Sequence, residues 1–208
     1  MRGILQCVGR VACLVVAAML MAVAVGCKHE AAPESAKAGG EKAISLEREG
    51  LMALLIESTA FANGERIPKR FTEDGEDVSP PLTWSGPPAG TKELALICDD
   101  PDAPTPQPWV HWVIYKIAAG VSGLPEKVPK PARLSEPPGA LQGKNSWGRI
   151  GYGGPAPPRG HGVHHYHFKL YALDAPLDVA PGLDKDRLLA AMKGHILAQG
   201  ELVGTYQR

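Results

Sequence analysis

The 208-residue chain has few aromatic side chains and little cysteine, and it carries no net charge. Phe, Trp and Tyr make up 6% of the residues, there are four cysteines, and 22 basic residues balance 22 acidic ones. A neutral chain has no bulk attraction to a polyanion, so nucleic-acid binding is not expected. The sequence also lacks a Gly-x-Ser-x-Gly elbow, a Cys-x-x-Cys pair and a His-Glu-x-x-His run. These common hydrolase, redox and zinc-protease motifs therefore assign no activity.

The longest apolar run lies near the N-terminus and ends close to a cysteine. Residues 11–25 are apolar and follow Arg2 and Arg10. The run is shorter than the roughly 20 residues that a membrane-spanning helix needs, and its basic start is typical of an export signal. The small residues before Cys27 (AVGC) resemble the lipobox at which bacterial lipoproteins are cleaved and lipidated. An uncleaved anchor helix is the alternative.

The lipobox-like sequence predicts three segments and a location. Lys28 follows the cysteine, where an Asp would indicate retention in the inner membrane. We therefore expect a lipid-anchored protein of the bacterial cell envelope, on the periplasmic side of the outer membrane in a diderm host. The expected segments are a signal peptide (residues 1–26), the lipidated Cys27 with a flexible tether (residues 27–49) and a folded domain (residues 50–208).

Glycine and proline, by contrast, are abundant, at 24 and 20 residues. They separate short apolar runs, which is typical of a turn-rich β protein. Residues 93–99 carry apolar side chains on both faces and residues 109–117 are apolar almost throughout, which predicts strands buried on both faces, as between packed layers. Helical spacing of apolar residues after an acidic start predicts one helix at residues 184–198. Further strands are expected at residues 51–58, 164–173 and 202–206.

Acidic residues crowd the end of the strand predicted at residues 93–99. Asp99, Asp100 and Asp102 lie within four positions, an arrangement that is costly unless the carboxylates have partners. Strand alternation places Asp100 on the same face as Cys98, at the buried end of that face. The run is either a solvated acidic turn or one edge of a binding site.

Histidines form the second group of candidate residues. His111 lies within an apolar strand, where a lone histidine is more often a core residue, and residues 160–167 (GHGVHHYH) contain four more. Alternation places His164 and Tyr166 on one face and the neighbouring histidines on the other. A carboxylate, imidazoles and a phenol could ligate zinc, or could hold an oxyanion through N–H and O–H groups. Because the histidines are divided between two faces, the pattern disfavours a single four-ligand zinc site.

Motifs that occur in order between residues 71 and 166 resemble the phosphatidylethanolamine-binding protein family. Residues 100–104 (DPDAP), followed by His111 in a His-Trp pair, resemble its central signature. Residues 157–166 (PPRGHGVHHY) resemble its second signature, and residues 71–84 are similar to its first segment. Residues 151–155 (GYGGP) match its bacterial, Raf-kinase-inhibitor-like branch (YbhB/YbcL type).

The resemblance implies a mainly β protein, an antiparallel β-sandwich with a C-terminal helix and Pro/Gly-rich loops. It also implies a pocket for phosphate, acetate or a phosphoethanolamine head group. In that pocket His111 and His164 would donate to the anion, and a glycine-rich wall would present backbone N–H groups. Asp100 would orient an imidazole or meet an amine. The pocket residues carried over by position are Asp100, Asp102, Pro104, His111, Gly154, His164 and Tyr166, with Asp102 and Pro104 shaping the turn.

The resulting hypothesis is a non-enzymatic module that binds a small anionic ligand or a phospholipid head group, with no catalytic residue, metal ion or cofactor. It is held at the membrane through Cys27, and a protein partner and a homodimer are left open. One alternative is an inhibitor or scaffold that acts by surface contact, as some relatives inhibit a protease. The other is a zinc-dependent hydrolase with Asp100, His111 and His164 as ligands.

Overall fold

The structure is a computed structural model, and residues 52–208 are described. The expected signal segment, Cys27 and the tether lie outside the described residues. Within the described part no helix has both the length and the apolar content to cross a bilayer. This part comprises β1 (Met52–Ala53), β2 (Leu55–Glu57), a short 3-10 helix (Lys69–Phe71), β3 (Leu82–Ser85), β4 (Glu93–Asp100), β5 (Trp109–Ala118), β6 (Gly123–Leu124), β7 (Leu141–Gln142), β8 (His164–Leu173), α1 (Lys185–Met192) and β9 (Ile196–Tyr206).

The strands form two sheets. The larger has the order β1-β9-β8-β4-β5-β7, and the smaller has the order β2-β3-β6. Every pair of neighbours is antiparallel except β1 with β9, which run parallel. The mainly β, antiparallel fold class predicted from the sequence is therefore confirmed.

Strands β4 and β5 of the large sheet are buried on both faces, as predicted. On one face Leu96 and Trp112 pack in a cluster that includes Trp84 of the smaller sheet. On the other face Ile97 of β4 packs in a second cluster with Leu188 of α1. Side chains that alternate along β4 therefore enter two different cores, which explains why residues 94–98 are apolar without interruption. Each fully buried Leu or Ile contributes about 1.5–3 kcal/mol relative to an exposed one.

The predicted helix at residues 184–198 is too long. Asp184 caps its start by accepting a hydrogen bond from the backbone N–H of Arg187 at 2.9 Å, but the helix ends at Met192. Gly194 has a φ of 83°, a left-handed conformation that terminates helices and that glycine adopts without strain. The apolar residues after it belong to β9, which begins at Ile196 and is longer than the predicted strand at residues 202–206.

The strand predicted at residues 51–58 is also incorrect as one element. β1 pairs with β9 in the large sheet, whereas β2 pairs with β3 in the smaller one. The chain changes sheets at Leu54, whose side chain is buried in the core. An unbroken apolar run cannot reveal such a transfer, because both sheets need apolar residues at this point.

A β-bulge at His111 reverses the side-chain alternation of β5. Trp112 and Val110 pair with consecutive residues of β4, so His111 is an extra residue on β5. Trp112 belongs to the core shared with the smaller sheet, while Val110 belongs to the core under α1. In an unbroken strand these two residues would share a face. The bulge thereby turns His111 and Trp109 toward the face that carries Asp100.

The acidic run at the end of β4 is divided between the two faces. Asp99 is fully buried on the α1 side, where Lys169 of β8 contacts it at 2.8 Å and Lys185 of α1 also forms an ion pair with it. Burial raises the pKa of Asp99, but the hydrogen bonds and charges of the two lysines outweigh burial and hold it below its ordinary value. Asp99 therefore ties α1 to the sheet, which leaves Asp100 for the opposite face.

Candidate functional site

A cavity of about 270 Å³ lies at the end of the large sheet, where β4 ends and β8 begins. This volume fits a small ligand or a head group better than a drug-sized molecule. Its walls combine charged, polar and apolar groups. The charged and polar lining residues are Glu73, Asp100, Thr105, His111, His164 and Arg208.

A buried pair of Asp100 and His164 stands at the wall of the cavity. His164 Nδ1 lies 2.7 Å from Asp100 Oδ2, and both side chains are at least 95% buried. Asp100 Oδ1 accepts a second hydrogen bond, 2.9 Å long, from the backbone N–H of Asp102. Because a carboxylate only accepts, the proton of this pair is on His164 Nδ1. The strand alternation that placed both residues on buried faces is confirmed, and the sheet brings the two together.

The pair continues to a third side chain. His164 Nε2 lies 2.8 Å from Nδ1 of His161. His161 is exposed, and no role was predicted for it from the sequence. The chain of contacts therefore runs from the buried carboxylate through one imidazole to another at the surface. Both ring nitrogens of His164 have protein partners.

His111 has a backbone hydrogen-bond partner that the sequence did not predict. Its Nδ1 lies 2.7 Å from the carbonyl oxygen of Gly153, which can only accept, so Nδ1 carries the proton. Burial lowers the pKa of His111 below its ordinary value, despite that hydrogen bond and the nearby Asp100 carboxylate. The ring is therefore neutral near pH 7, and Nε2 is a bare acceptor. In this state Nε2 of His111 can accept a hydrogen bond but cannot donate one.

Tyr166 packs edge-on against His111, with 5.0 Å between the ring centroids. Its hydroxyl is the one buried side-chain polar atom within residues 52–208 that has no hydrogen-bond partner in the protein. Burial, together with the Asp100 carboxylate, raises its pKa well above the ordinary value, so the phenol keeps its proton and can donate. An unsatisfied buried hydroxyl costs about 1–3 kcal/mol, which makes this atom unusual.

The turn after β4 contributes one of its two expected residues to the cavity. Pro104 lines the wall, whereas Asp102 does not. Asp102 Oδ2 instead accepts hydrogen bonds from the backbone N–H and the ring Nδ1 of His165, at 2.8 and 2.7 Å. Partial burial raises the pKa of Asp102, but the hydrogen bonds from His165 outweigh burial and hold this pKa below its ordinary value. Asp102 thus fixes the turn against β8.

Gly154 was expected to present its N–H group to the ligand, and the structure contradicts this. That N–H donates to Asp77 Oδ1 at 2.7 Å. A Cβ at this position would lie 2.6 Å from the carbonyl oxygen of Phe71 and 2.7 Å from Cα of Thr72. The glycine is therefore required for close packing of two backbone segments, and it does not line the cavity.

An apolar wall faces the polar residues, and it was missed in the sequence. Trp109 and Trp147 pack edge to face at 5.3 Å, and Trp147 also contacts the ring of His111 at 5.2 Å. The loop that carries Trp147 is held by Asn145, whose side chain bonds three backbone groups at 3.1 Å each. The glycine- and proline-rich composition of this loop was the available signal. The remaining apolar lining residues are Ala103, Pro104, Ala156, Pro157 and Pro158.

Glu73 and Arg208 also line the cavity, and no pattern in the sequence predicted this. Arg208 Nε bonds both carboxylate oxygens of Asp74, at 3.1 and 3.0 Å, and its Nη2 lies 3.8 Å from Glu73. The hydroxyl of Tyr206 donates to the same carboxylate at 2.9 Å. The hydrogen bond from Arg208 holds the pKa of Asp74 below its ordinary value against partial burial. This network holds the guanidinium of Arg208 at the cavity wall, and the carboxylates of Asp74 and Glu73 offset its charge.

The zinc-ligand arrangement considered from the sequence does not form. Among residues 52–208, no three His, Cys, Asp or Glu side chains come together in a group that could hold a metal ion. His164 uses its two ring nitrogens for Asp100 and His161, and Nδ1 of His111 faces a carbonyl oxygen. Cys98 is buried in the core, and burial raises the pKa of its thiol well above the ordinary value.

Comparison with known proteins agrees with the fold and the motifs. The sequence model of the phosphatidylethanolamine-binding protein family matches residues 57–207. The UPF0098 protein of Methanothermobacter thermautotrophicus is 52% identical over 153 residues, which cover 74% of this chain and 98% of that protein. The crystal structure of Escherichia coli YbcL, described as a member of the mammalian PEBP family, has a TM-score of 0.70 and 33% identity, covering 76% of this chain and 99% of that chain.

A further relative bears on the N-terminal segment. LppC of Mycobacterium tuberculosis, which is named as a candidate lipoprotein, is 43% identical over 154 residues. The match covers 74% of this chain and 72% of that protein.

Proposed function

Because this chain belongs to the phosphatidylethanolamine-binding protein family, we propose that its cavity binds a small ligand that carries an anionic oxygen, either a phosphate or a carboxylate. Members of this family usually bind ligands and are generally non-catalytic. The observation that carries the proposal is the buried Asp100–His164 pair on the cavity wall. Burying a carboxylate and an imidazole is unfavourable unless they are paired, and a pair that opens onto a cavity is typical of a binding site.

The remaining wall groups narrow the chemistry of the ligand. Arg208 brings guanidinium N–H donors to the wall, although the carboxylates of Asp74 and Glu73 offset its charge. Tyr166 does not line the cavity, but it packs against His111, which does, and its hydroxyl is a donor without a protein acceptor. Nε2 of His111 is an acceptor and therefore favours a ligand that also carries an O–H or N–H group. A singly protonated phosphate and a phosphoethanolamine head group both meet this requirement, and the tryptophan wall can cover the apolar part of a larger ligand.

We also propose that the protein is anchored in the bacterial cell envelope through a lipid on Cys27. The support is the lipobox-like sequence before Cys27 and the lipoprotein name of the mycobacterial relative. Mass spectrometry of the protein purified from membranes tests this. The expected result is an N-terminal peptide that starts at a diacylglyceryl-modified Cys27, and a peptide that contains residues before Cys27 contradicts it.

Titration calorimetry with inorganic phosphate and with phosphoethanolamine tests the proposed site, using the full chain in detergent. We expect His164→Ala to weaken binding at least 10-fold, because the ligand loses one wall contact and Asp100 is left unpaired. We expect Tyr166→Phe to weaken binding by about 2- to 10-fold, the worth of one hydrogen bond. Its stability should be unchanged or raised, because the removed hydroxyl makes no protein hydrogen bond.

His195→Ala is the matched control. It removes an exposed histidine that pairs with Asp174 at 2.9 Å and does not line the cavity. Its affinity for phosphate should equal that of the unmodified protein. Unchanged affinity in both His164→Ala and Tyr166→Phe, or no binding by the unmodified protein, would contradict the proposed function.

A further inference from the structure

His161 contacts the ring nitrogen of His164 that a ligand of the cavity would have to bond. The two nitrogens lie 2.8 Å apart, and the ring planes are inclined by 59°. An imidazole nitrogen has a single in-plane position for a hydrogen bond, either a lone pair or an N–H. His161 therefore occupies the one position through which His164 Nε2 can bond a ligand.

The contact requires one proton between the two nitrogens, and either ring can supply it. When His164 is neutral, Nδ1 holds the proton against Asp100, and Nε2 accepts from Nδ1–H of His161. When His164 is protonated, Nε2 donates to the bare Nδ1 of His161. In both states a ligand oxygen that bonds His164 Nε2 must first displace His161.

Of the two partners of His164, His161 is the one that can leave. Asp100 is buried and also holds the turn through the N–H of Asp102. His161 is exposed and lies between Gly160 and Gly162. Both glycines have positive φ, at 77° and 94°, and no atom lies within 4 Å of a Cβ built on either. The space beside both glycines is open and His161 itself is exposed, so its side chain has room on the solvent side.

The backbone under this side chain is hydrogen-bonded to the cavity wall. The N–H of His161 donates to the carbonyl oxygen of Pro158 at 3.1 Å, and Pro158 itself lines the cavity. A rotation of the His161 side chain is therefore sufficient to open His164 Nε2, and the loop need not unfold.

We propose that His161 is an autoinhibitory latch on the binding site: it holds His164 Nε2 until a ligand takes its place. The proposal rests on the function proposed above. A latch lowers the affinity of every ligand by the same factor, the fraction of molecules in which His164 Nε2 is open. Closing the latch contributes about one net hydrogen bond, so that factor is about 2- to 10-fold.

The test compares His161→Ala with the unmodified full chain by titration with inorganic phosphate and, separately, with acetate. We expect His161→Ala to bind both anions about 2- to 10-fold more tightly, by the same factor. His167→Ala is the control, because this residue lies on the same strand as His164 but pairs with Glu201 outside the cavity. Its affinity should not change.

Nitrogen NMR of the histidine rings supplies a second readout, because it separates a hydrogen-bonded ring nitrogen from a free one. We expect saturating phosphate to change the Nδ1 signal of His161 to that of an imidazole without the His164 contact. Equal or weaker phosphate binding by His161→Ala, or an unchanged His161 signal at saturation, overturns the latch while the proposed function stands. If neither protein binds either anion, the proposed function fails and the latch fails with it.

Discussion

Substitution of Gly154 tests whether this glycine is needed to contact a ligand or to allow close packing of two backbone segments. Alanine at this position would place Cβ 2.6 Å from the Phe71 carbonyl oxygen and 2.7 Å from Thr72 Cα. Both contacts are shorter than any that real Cβ atoms make, and both partners are backbone atoms. The strain therefore cannot be relieved by rotation of a flexible side chain.

The structure also indicates what must move in Gly154→Ala. The Phe71 carbonyl already accepts a 2.7 Å hydrogen bond from the buried hydroxyl of Tyr152, and the N–H of Gly154 bonds Asp77. A shift of either backbone segment therefore weakens hydrogen bonds as well as packing. Overpacking alone costs about 1–3 kcal/mol, so we expect a loss of about 2–4 kcal/mol. For a domain of this size the melting temperature should fall by about 4–16 °C.

Urea and thermal denaturation of the full chain measure this loss, and Gly120→Ala is the matched control. No atom lies within 4 Å of a Cβ at Gly120, and its φ is outside the left-handed region. The control should therefore change stability by no more than about 1 kcal/mol in either direction. Equal stability of the two variants would refute the packing argument. A stable Gly154→Ala with weakened phosphate binding would instead restore the sequence-based expectation that Gly154 contacts the ligand.

Two further predictions concern the supports of the site. Asp99→Asn should destabilise the domain by about 2–4 kcal/mol, because the variant removes the buried partner of two partly exposed lysines. Since the pKa of Asp99 is lowered in the fold, its contribution is complete above the ordinary carboxyl pKa and is lost as pH falls through the lowered value. Urea denaturation should show that the unmodified protein has a larger free energy of unfolding than Asp99→Asn at pH 7, and that this gap is smaller near pH 3. A gap that does not change with pH contradicts the prediction. Asn145→Ala should cost about 2–3 kcal/mol and weaken phosphate binding, because three hydrogen bonds that position Trp147 are lost; unchanged melting would refute the assignment.

The strand and face assignments could be made from the sequence because β4 and β8 follow simple alternation. The alternation predicted that Asp100 ends a buried face with Cys98, and that His164 and Tyr166 share a face, and both predictions are confirmed. The helix was overextended because apolar residues after Gly194 fit a helix and a strand equally well. The positive φ of Gly194 and pairing with β8 decide between them.

The roles within the site could not be predicted to the same extent. The sequence treated the imidazoles of His111 and His164 as equivalent donors, whereas their hydrogen-bond partners differ. His111 contacts the carbonyl of Gly153 and His164 contacts the carboxylate of Asp100, and in each pair the two residues lie far apart in the sequence. Likewise Arg208 reaches the cavity only because β9 runs alongside β8, and no local pattern predicts this neighbour.

The sequence by itself determined the fold class, the family motifs and the faces of the regular strands, because these depend on local periodicity and on residues close together in the chain. Tertiary structure alone decided three features of the site. The bulge at His111 reversed the alternation of β5, Gly154 was committed to packing, and His161 closed on His164. The first two depend on contacts between segments that lie apart in the chain, which a local sequence pattern does not contain. His161 is only three residues from His164, and their contact depends on the conformation of the glycine-flanked turn that precedes β8.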